Sequence, residues 1–165
     1  MSKHEFYEGI WTIKHIRNGQ VIDQEIVHND LLDDGEETML DVFFRAQALV
    51  SFYARLSIAA LIDPTTISDA YAAEPAQVNG YAPVEIERTP AGWPIIDKNG
   101  NGDYFVTSKT VTFTAAGGDI DSLKGVYLSN SNTNQGKVIA YAPFSMERTM
   151  YDGDSLELQI TVTLQ

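Results

Sequence analysis

The chain has 165 residues, contains no cysteine and carries a formal net charge of −12 at pH 7. This length predicts one domain that folds without covalent cross-links, and the lack of cysteine excludes disulfides, thiolate metal sites and thiol nucleophiles. A surface this acidic repels nucleic acid and anionic lipid, so neither is expected as a partner. Neither a signal peptide nor an apolar run of the ~20 residues that a membrane span requires is predicted.

The N-terminal part of the chain predicts an arm followed by a β-hairpin. Residues 1–9 are polar and are expected to form the arm, so that residues 10–165 make up the domain. Asn18-Gly19 is a strong signal for a two-residue hairpin turn, because both central positions of such a turn need a positive φ.

That turn fixes the expected pairing of the two strands. Lys14 should face Asp23, an arrangement that opposite charges favour modestly. Alternate residues of a strand share one face. The residues expected on the core-facing side are Trp11, Ile13, Ile22 and Ile26.

One helix is predicted, at about residues 35–47. Asp34 is a suitable N-cap, and Glu37 stands three residues later, as in a capping box. Phe43 and Phe44 continue an apolar stripe at helical spacing. The stripe should face the core, so Phe43 should be buried.

Residues 61–81 show no clean period and contain several proline and glycine turn signals, so a long loop is expected there. Tyr71 and Tyr81 within this segment are candidate partner contacts, because exposed tyrosines are common in contact surfaces. Trp93, which stands at a proline-bounded corner, is a third candidate.

The remaining segments alternate between apolar and polar residues, which is typical of strands with one buried face. The clearest alternation runs from Leu156 to Leu164, and it predicts a central strand in which Leu158 is buried. About eight strands and one helix predict a mainly β fold, namely an antiparallel β-sandwich of jelly-roll-like type.

The sequence DKNGNGD at residues 97–103 shares the opening positions of an EF-hand calcium loop. Its candidate ligands are Asp97, Asn99, Asn101 and Asp103. The twelfth position of that pattern is Ser108 instead of a bidentate Glu, and a strand follows instead of a helix. We therefore interpret the segment as a hairpin turn, with a weak cation site as the alternative, and expect no cofactor.

No catalytic constellation is present in the sequence. It contains no G-x-S-x-G nucleophile elbow, no phosphate-binding loop and no dinucleotide fingerprint. The GDSL sequence at 153–156 is not the esterase motif, since Ser155 enters the final strand, whereas that motif needs its serine near the start of an α/β hydrolase chain. An enzyme is therefore the weaker class, and no catalytic residue is assigned.

Three parts of the chain carry a resemblance to a known family. They are VHNDLL…LDVFF at 27–44 with SFYARLSI at 51–58, RTPAGW at 88–93 with SKTVTFTA at 108–115, and the ending YDGDSLELQITVTL at 151–164. In this order they resemble small virion proteins of tailed phages, of the kind found as capsid decoration (cement) proteins or as tail-associated structural proteins. The resemblance covers most of the chain.

The resemblance implies a non-enzymatic structural role. The expected function is that of a cement protein, made in the host cytoplasm, that binds the major capsid protein on the surface of the assembled head. A dimer or trimer is expected, because closed symmetry is usual among homo-oligomers. One alternative is a tail, baseplate or tail-fibre component. An alternative of another class is a carbohydrate-binding module, with an aromatic platform made of Trp93, Tyr71, Tyr81 and Tyr104.

Overall fold

The structure is a computed structural model that describes residues 7–29, 31–46, 48, 50–62 and 65–164. Half of it is strand and 12% is helix, which confirms the predicted mainly β class. Within the described residues there are ten strands and two helices, so the expected eight strands and single helix are too few. Neither described helix has the length and apolar character of a membrane span.

The strands are β1 (Tyr7–Arg17), β2 (Gln20–Asn29), β3 (Phe52–Ser57), β4 (Val84–Ile86), β5 (Ile95–Lys98), β6 (Tyr104–Thr107), β7 (Val111–Thr114), β8 (Ile120–Ser129), β9 (Val138–Met150) and β10 (Ser155–Leu164). The helices are α1 (Asp33–Phe44) and α2 (Ile67–Ala72).

The strands form two antiparallel sheets. The order in the first is β2-β1-β10-β6-β5, and β7 also pairs with β10. The order in the second is β4-β3-β8-β9. β10 pairs with β1, β6 and β7, and Leu158 within it is fully buried, so both predictions from its alternation are confirmed.

One hydrophobic core joins the two sheets. Trp11 and Ile160 of the first sheet belong to the same buried cluster as Leu56 and Leu128 of the second. Burial of apolar surface stabilises a fold by roughly 25 cal/mol per Å². The shared cluster therefore holds the two sheets against each other.

The predicted hairpin turn is confirmed, but the pairing beyond it is different. Asn18 and Gly19 have φ values of 51° and 74°. Ile16 faces Val21 as that turn requires, and the next pair skips Ile22, which is the extra residue of a β-bulge.

The bulge makes the predicted register wrong. A slip of one residue moves every following side chain to the other face of a strand. Lys14 consequently faces Gln24 instead of Asp23. Ile22 and Ile26, which were expected in the core, are exposed, Ile26 by 59%.

The register shift places charged residues of β2 opposite the second sheet. Trp11 and Ile13 of β1 are fully buried, as predicted. Nη1 of Arg148 in β9 pairs with the Asp23 carboxylate, and Nη2 lies 2.7 Å from Oε1 of Glu25. An ionic contact therefore joins the outer strands β2 and β9.

Helix α1 begins earlier than its sequence predicts. Its N-cap is Leu32, which makes no side-chain capping bond, and Asp34 lies within the first turn. The cause is the edge of β9. The backbone N–H of Leu32 donates to the Ile139 carbonyl at 3.1 Å, and a Cβ on Gly35 would lie 2.2 Å from that same oxygen. This contact with the sheet sets the start of the helix, which ends at Phe44.

Phe43 is 74% exposed, so the prediction that it is buried is wrong. The helix approaches the sheet through Gly35, which is the one buried residue of its twelve. The apolar stripe of α1 therefore does not reach the core.

The segment 61–81, expected to be a long loop, contains α2. The Thr66 hydroxyl caps this helix by accepting a backbone N–H. Ala70 of α2 packs in a second hydrophobic cluster with Tyr127 of β8. The segment thus covers the outer face of the second sheet, which explains why Arg55 in β3 is fully buried.

The predicted arm, residues 1–9, is described only in part, because residues 1–6 lie outside the described ranges. Residues 7–9 begin β1, where Tyr7 faces Leu164 and Gly9 faces Val162 of β10. The first strand therefore starts before the predicted domain boundary at residue 10.

Candidate binding surface: helix α1 and the cleft between the sheets

Helix α1 carries an exposed apolar face made of Leu40, Phe43 and Phe44. The exposed fraction is 59% for Leu40 and 82% for Phe44, and the two phenyl rings lie 6.5 Å apart. Contiguous exposed apolar groups of this size mark contact sites more often than single ones do. We call these three residues the α1 apolar face.

A charged contact also fixes the position of α1. Lys137, just before β9, pairs with the Glu37 carboxylate, and this hydrogen bond raises the pKa of Lys137 and lowers that of Glu37. A second ion pair lies within the helix itself, where Nη1 of Arg45 is 3.2 Å from Oδ1 of Asp41. The helix is therefore attached to β9 with its apolar face toward solvent.

A cleft of about 750 Å³ opens between the sheets beside α1. Buried core residues of both sheets line it, among them Trp11, Leu128 and Ile160. Phe52 of β3 and Phe43 of the α1 apolar face also line it. Pockets that enclose small ligands have volumes of about 300–1,000 Å³ and mostly apolar walls, so this cleft has the size and lining of a ligand site.

One wall of the cleft is a stack of two aromatic rings and a cation. Trp93 meets Phe52 edge-on, with ring centroids 6.1 Å apart and an interplanar angle of 79°. The guanidinium carbon of Arg88 lies 4.9 Å from the centroid of the Phe52 ring, which is a cation–π contact.

The turn that carries Arg88 is held by its own backbone. The N–H groups of Gly92 and Trp93 donate to the Thr89 carbonyl at 3.1 and 2.9 Å. A side chain at Gly92 is excluded, because a Cβ there would lie 2.0 Å from the carbonyl oxygen of Glu87. Arg88 is therefore presented to the cleft from a fixed turn.

Two hydrogen-bond donors of the cleft have unused capacity. Among the described residues, Arg88 has no carboxylate partner, and burial lowers the pKa of its guanidinium. The indole N–H of Trp11 is buried and has no hydrogen-bond partner among the residues that the structure describes. Both groups stand in a lining that is otherwise mostly apolar.

The three predicted contact residues lie in three different environments. Trp93 lines the cleft, and Tyr71 is partly exposed on α2, with its ring centroid 5.4 Å from the guanidinium of Arg55. Tyr81 is only 3% exposed and belongs to the core, so it presents no contact surface. The sequence gives no signal for this difference, because all three stand near turn residues.

Arg55 is the centre of a buried polar network. Its Nη1 lies 2.9 Å from Oε2 of Glu74, and the Tyr81 hydroxyl donates to Glu74 and accepts the Leu56 N–H at 3.1 Å. Burial raises the pKa of Glu74 and of Tyr81, and raises the pKa of Tyr127 to about 12. The network attaches the α2 segment to β3, which is a structural role.

A second charge cluster joins the ends of two hairpins. Oδ2 of Asp154 lies 2.9 Å from Nε2 of His15 and 2.7 Å from Nη2 of Arg17. The hydrogen bond from Arg17 holds the pKa of Asp154 well below its ordinary value. A His–Asp pair occurs in catalytic triads, but in the described residues no hydroxyl group bonds to His15. This cluster therefore holds the β1–β2 hairpin against the turn between β9 and β10, which is a structural role.

The candidate cation turn is closed by its own hydrogen bonds. Oδ1 of Asn99 accepts the N–H groups of Asn101 and Asp103 at 2.9 and 3.0 Å. Oδ1 of Asp97 accepts the Lys98 N–H at 2.8 Å. Such bonds are typical of Asx turns. The described ranges contain no group of three His, Cys, Asp or Glu side chains that would hold a metal.

Comparison with known proteins finds no protein-family model that matches this chain and no match among curated proteins. The α1 apolar face and the cleft are therefore the features that point to a function.

Of this surface, sequence reasoning named only Trp93 as a contact residue, and it missed the α1 apolar face and the rest of the cleft. A stripe that includes Phe43 and Phe44 fits a core helix and an interface helix equally well, because periodicity does not reveal what covers a face. No sequence signal separates Arg88, which faces a cleft, from an arginine in open solvent.

Proposed function

We propose that this protein is a non-enzymatic structural protein of a tailed-phage virion, specifically a capsid decoration (cement) protein that binds the major capsid protein on the assembled head. The α1 apolar face carries the proposal. A helix that is fixed to its sheet and exposes Phe43 and Phe44 has the composition of a contact surface. The resemblance of the sequence to small virion proteins supports the same class.

Charge supports a basic capsid surface as the partner. Glu36 and Glu37 are exposed on α1 next to the apolar face, in a chain of net charge −12. Complementary potentials speed association and disfavour wrong partners. The expected docking site is an apolar depression bordered by Lys or Arg, and binding to it should weaken as salt rises.

We also propose that the protein forms a symmetric homo-oligomer, a dimer or a trimer. β2 is the outermost strand of its sheet and exposes Val21, Ile22 and Ile26. An edge strand with exposed apolar side chains is a template for pairing with another chain. Pairing of β2 with its own copy would give a two-fold interface, so this edge favours the dimer.

The proposal includes the type of fold. Two antiparallel sheets with one shared core support a β-sandwich. We propose that its arrangement is jelly-roll-like, an architecture that viral capsid domains use.

The alternatives have less support. A tail, baseplate or tail-fibre component would use the same apolar face on another surface of the particle. A carbohydrate-binding module would use an aromatic platform made of Trp93, Tyr71, Tyr81 and Tyr104. Tyr104 is exposed, but Nζ of Lys98 lies 4.6 Å from its ring centroid, and Tyr81 is buried.

Sedimentation with undecorated expanded heads tests the proposal. We expect saturable co-sedimentation in a fixed ratio to capsid subunits and a rise in the melting temperature of the heads. Phe44→Ser should weaken binding at least tenfold, which is about 1.4 kcal/mol. The matched control Ile62→Ser removes a side chain of similar exposure, 77% against 82%, and should bind like the wild type. Absence of binding to heads, with antibody labelling of tails, would move the protein to the tail.

A further inference from the structure

Arg88 differs from the other arginines of the chain. Each of the other four pairs with a carboxylate: Arg17, Arg45, Arg55 and Arg148. Arg88 contacts the ring of Phe52 and has no carboxylate partner in the described part of the chain, although the sequence supplies 23 acidic residues. Partial burial of a charge without an ionic partner costs free energy. An anion from outside the chain would offset this cost.

The cleft offers an apolar environment next to that charge. Among the side chains that line it are Leu31, Leu128, Ile139, Ile160 and Val162. The one buried donor there without a partner in the described residues is the indole N–H of Trp11. A ligand that suits this lining has one anionic group and an apolar body.

A peptide segment fits the cleft poorly. Each residue of an extended chain brings one N–H and one C=O, which must find partners when water is removed. The lining contains few side chains with polar groups, namely Tyr7, Trp11, Arg88, Thr89 and Trp93. An apolar chain or ring without a polar backbone avoids that cost.

We propose that the cleft between the sheets binds a small amphipathic carboxylate, whose head group pairs with Arg88 and whose apolar body lies on Trp11, Leu128 and Ile160. One guanidinium balances one negative charge and matches the two oxygens of a carboxylate in a bidentate pair. The turn at Gly92 fixes the backbone next to Arg88, and the cation–π contact with Phe52 orients the guanidinium, which lowers the ordering cost of binding. This inference does not depend on the proposed virion function.

Calorimetric titration with sodium decanoate, below its micelle concentration, tests the inference. We expect saturable binding of one decanoate per chain, with a Kd below about 1 mM. Decyltrimethylammonium, which has the same chain and the opposite charge, should bind at least tenfold more weakly. A net charge of −12 favours the cation in any non-specific association, so a preference for decanoate has to come from the site.

Variants assign the binding to the cleft. Arg88→Gln should weaken decanoate binding at least tenfold, whereas Arg45→Gln, which removes an exposed arginine outside the cleft, should leave it unchanged. Ile96→Glu places a negative charge at an exposed position of the lining and should weaken binding without unfolding the protein.

Equal binding by the wild type and Arg88→Gln, or no binding up to 5 mM decanoate, would overturn the proposal. Loss of a dimer in Arg88→Gln without decanoate binding would assign the cleft to a second copy of the chain.

Discussion

At the residue scale, Asp154 shows how one carboxylate fixes distant parts of the chain. It stands just before β10, while His15 and Arg17 belong to β1. The Arg17 guanidinium also lies 4.6 Å from the ring centroid of Tyr151, whose backbone N–H donates to Asp154 at 3.0 Å. Loss of the carboxylate would leave the side chains of His15 and Arg17 without this partner.

The low pKa of Asp154 predicts a loss of stability in acid. Because folding lowers this pKa, the contribution to the free energy of unfolding is complete above the ordinary aspartate pKa of about 3.9 and is lost as the pH falls below it. Asp154→Asn should cost about 3 kcal/mol at pH 7, at the low end for a buried pair because Arg17 is partly exposed. It should also flatten the decline between pH 5 and 2. Urea unfolding at several pH values measures both effects.

The exposed Glu85 provides the control for this prediction. Glu85→Gln removes one carboxylate from the surface of β4, and it should change the free energy of unfolding by less than about 0.5 kcal/mol. A pH profile of Asp154→Asn that is parallel to that of the wild type would show that other groups cause the acid sensitivity.

Sequence reasoning at this scale succeeded where a strict pattern met a central strand. Leu158 was predicted from the alternation of β10, and it is fully buried. Sequence reasoning failed for Phe43, which was expected in the core and is exposed, and for Tyr81, which was expected at the surface and is buried. A pattern gives the face on which a residue lies, whereas burial depends on which other segment covers that face.

At the scale of elements, the first hairpin depends on a left-handed turn. Gly19 has a φ of 74°, and a Cβ added there meets no atom within 4 Å. Gly19→Val should therefore cost about 1–2 kcal/mol through backbone strain alone. Gly100 is equally open and lies outside the left-handed region, so Gly100→Val is the matched control. Equal melting temperatures of the two variants, measured by circular dichroism, would contradict this account of the turn.

The orientation of α1 gives a second prediction for an element. Phe43→Ala removes a side chain that is 74% exposed, so it should lower the free energy of unfolding by less than about 1 kcal/mol. Leu158→Ala opens a cavity in the core and should cost about 2–5 kcal/mol. Denaturant unfolding of both variants checks the contrast. A cost for Phe43→Ala as large as that for Leu158→Ala would mean that α1 faces the core.

The elements themselves were only partly predictable. The Asn18-Gly19 turn follows from its residues, but the bulge at Ile22 has no sequence signature, and it reverses the faces of β2. α2 has six residues, too few to display a helical period among the turn signals around it. The start of α1 depends on its contact with β9, which no local pattern shows.

At the scale of the whole molecule, an acidic surface surrounds two exposed apolar areas, the α1 apolar face and the edge of β2. The cleft and the α1 apolar face were not predictable, because both depend on how the sheets and the helix meet. The mainly β class was predictable from the many alternating segments.

The β2 edge predicts self-association that one substitution removes. Ile26→Lys adds a charge to an exposed position of this outer strand, and lysines on edge strands oppose pairing. We expect a dimer for the wild type and a monomer for Ile26→Lys in size-exclusion chromatography with light scattering. Lys14→Gln, on the neighbouring inner strand, should remain dimeric. A monomeric wild type at all concentrations would contradict the prediction.

The central claim is that the α1 apolar face binds a capsid surface. Cryo-electron microscopy of expanded heads saturated with the protein tests it most directly. The account predicts ordered density for the protein on the outside of the shell, with Phe43 and Phe44 seated in an apolar depression of the capsid protein that basic residues border. Density in which α1 points into solvent, or heads without bound protein at saturating concentration, would contradict it.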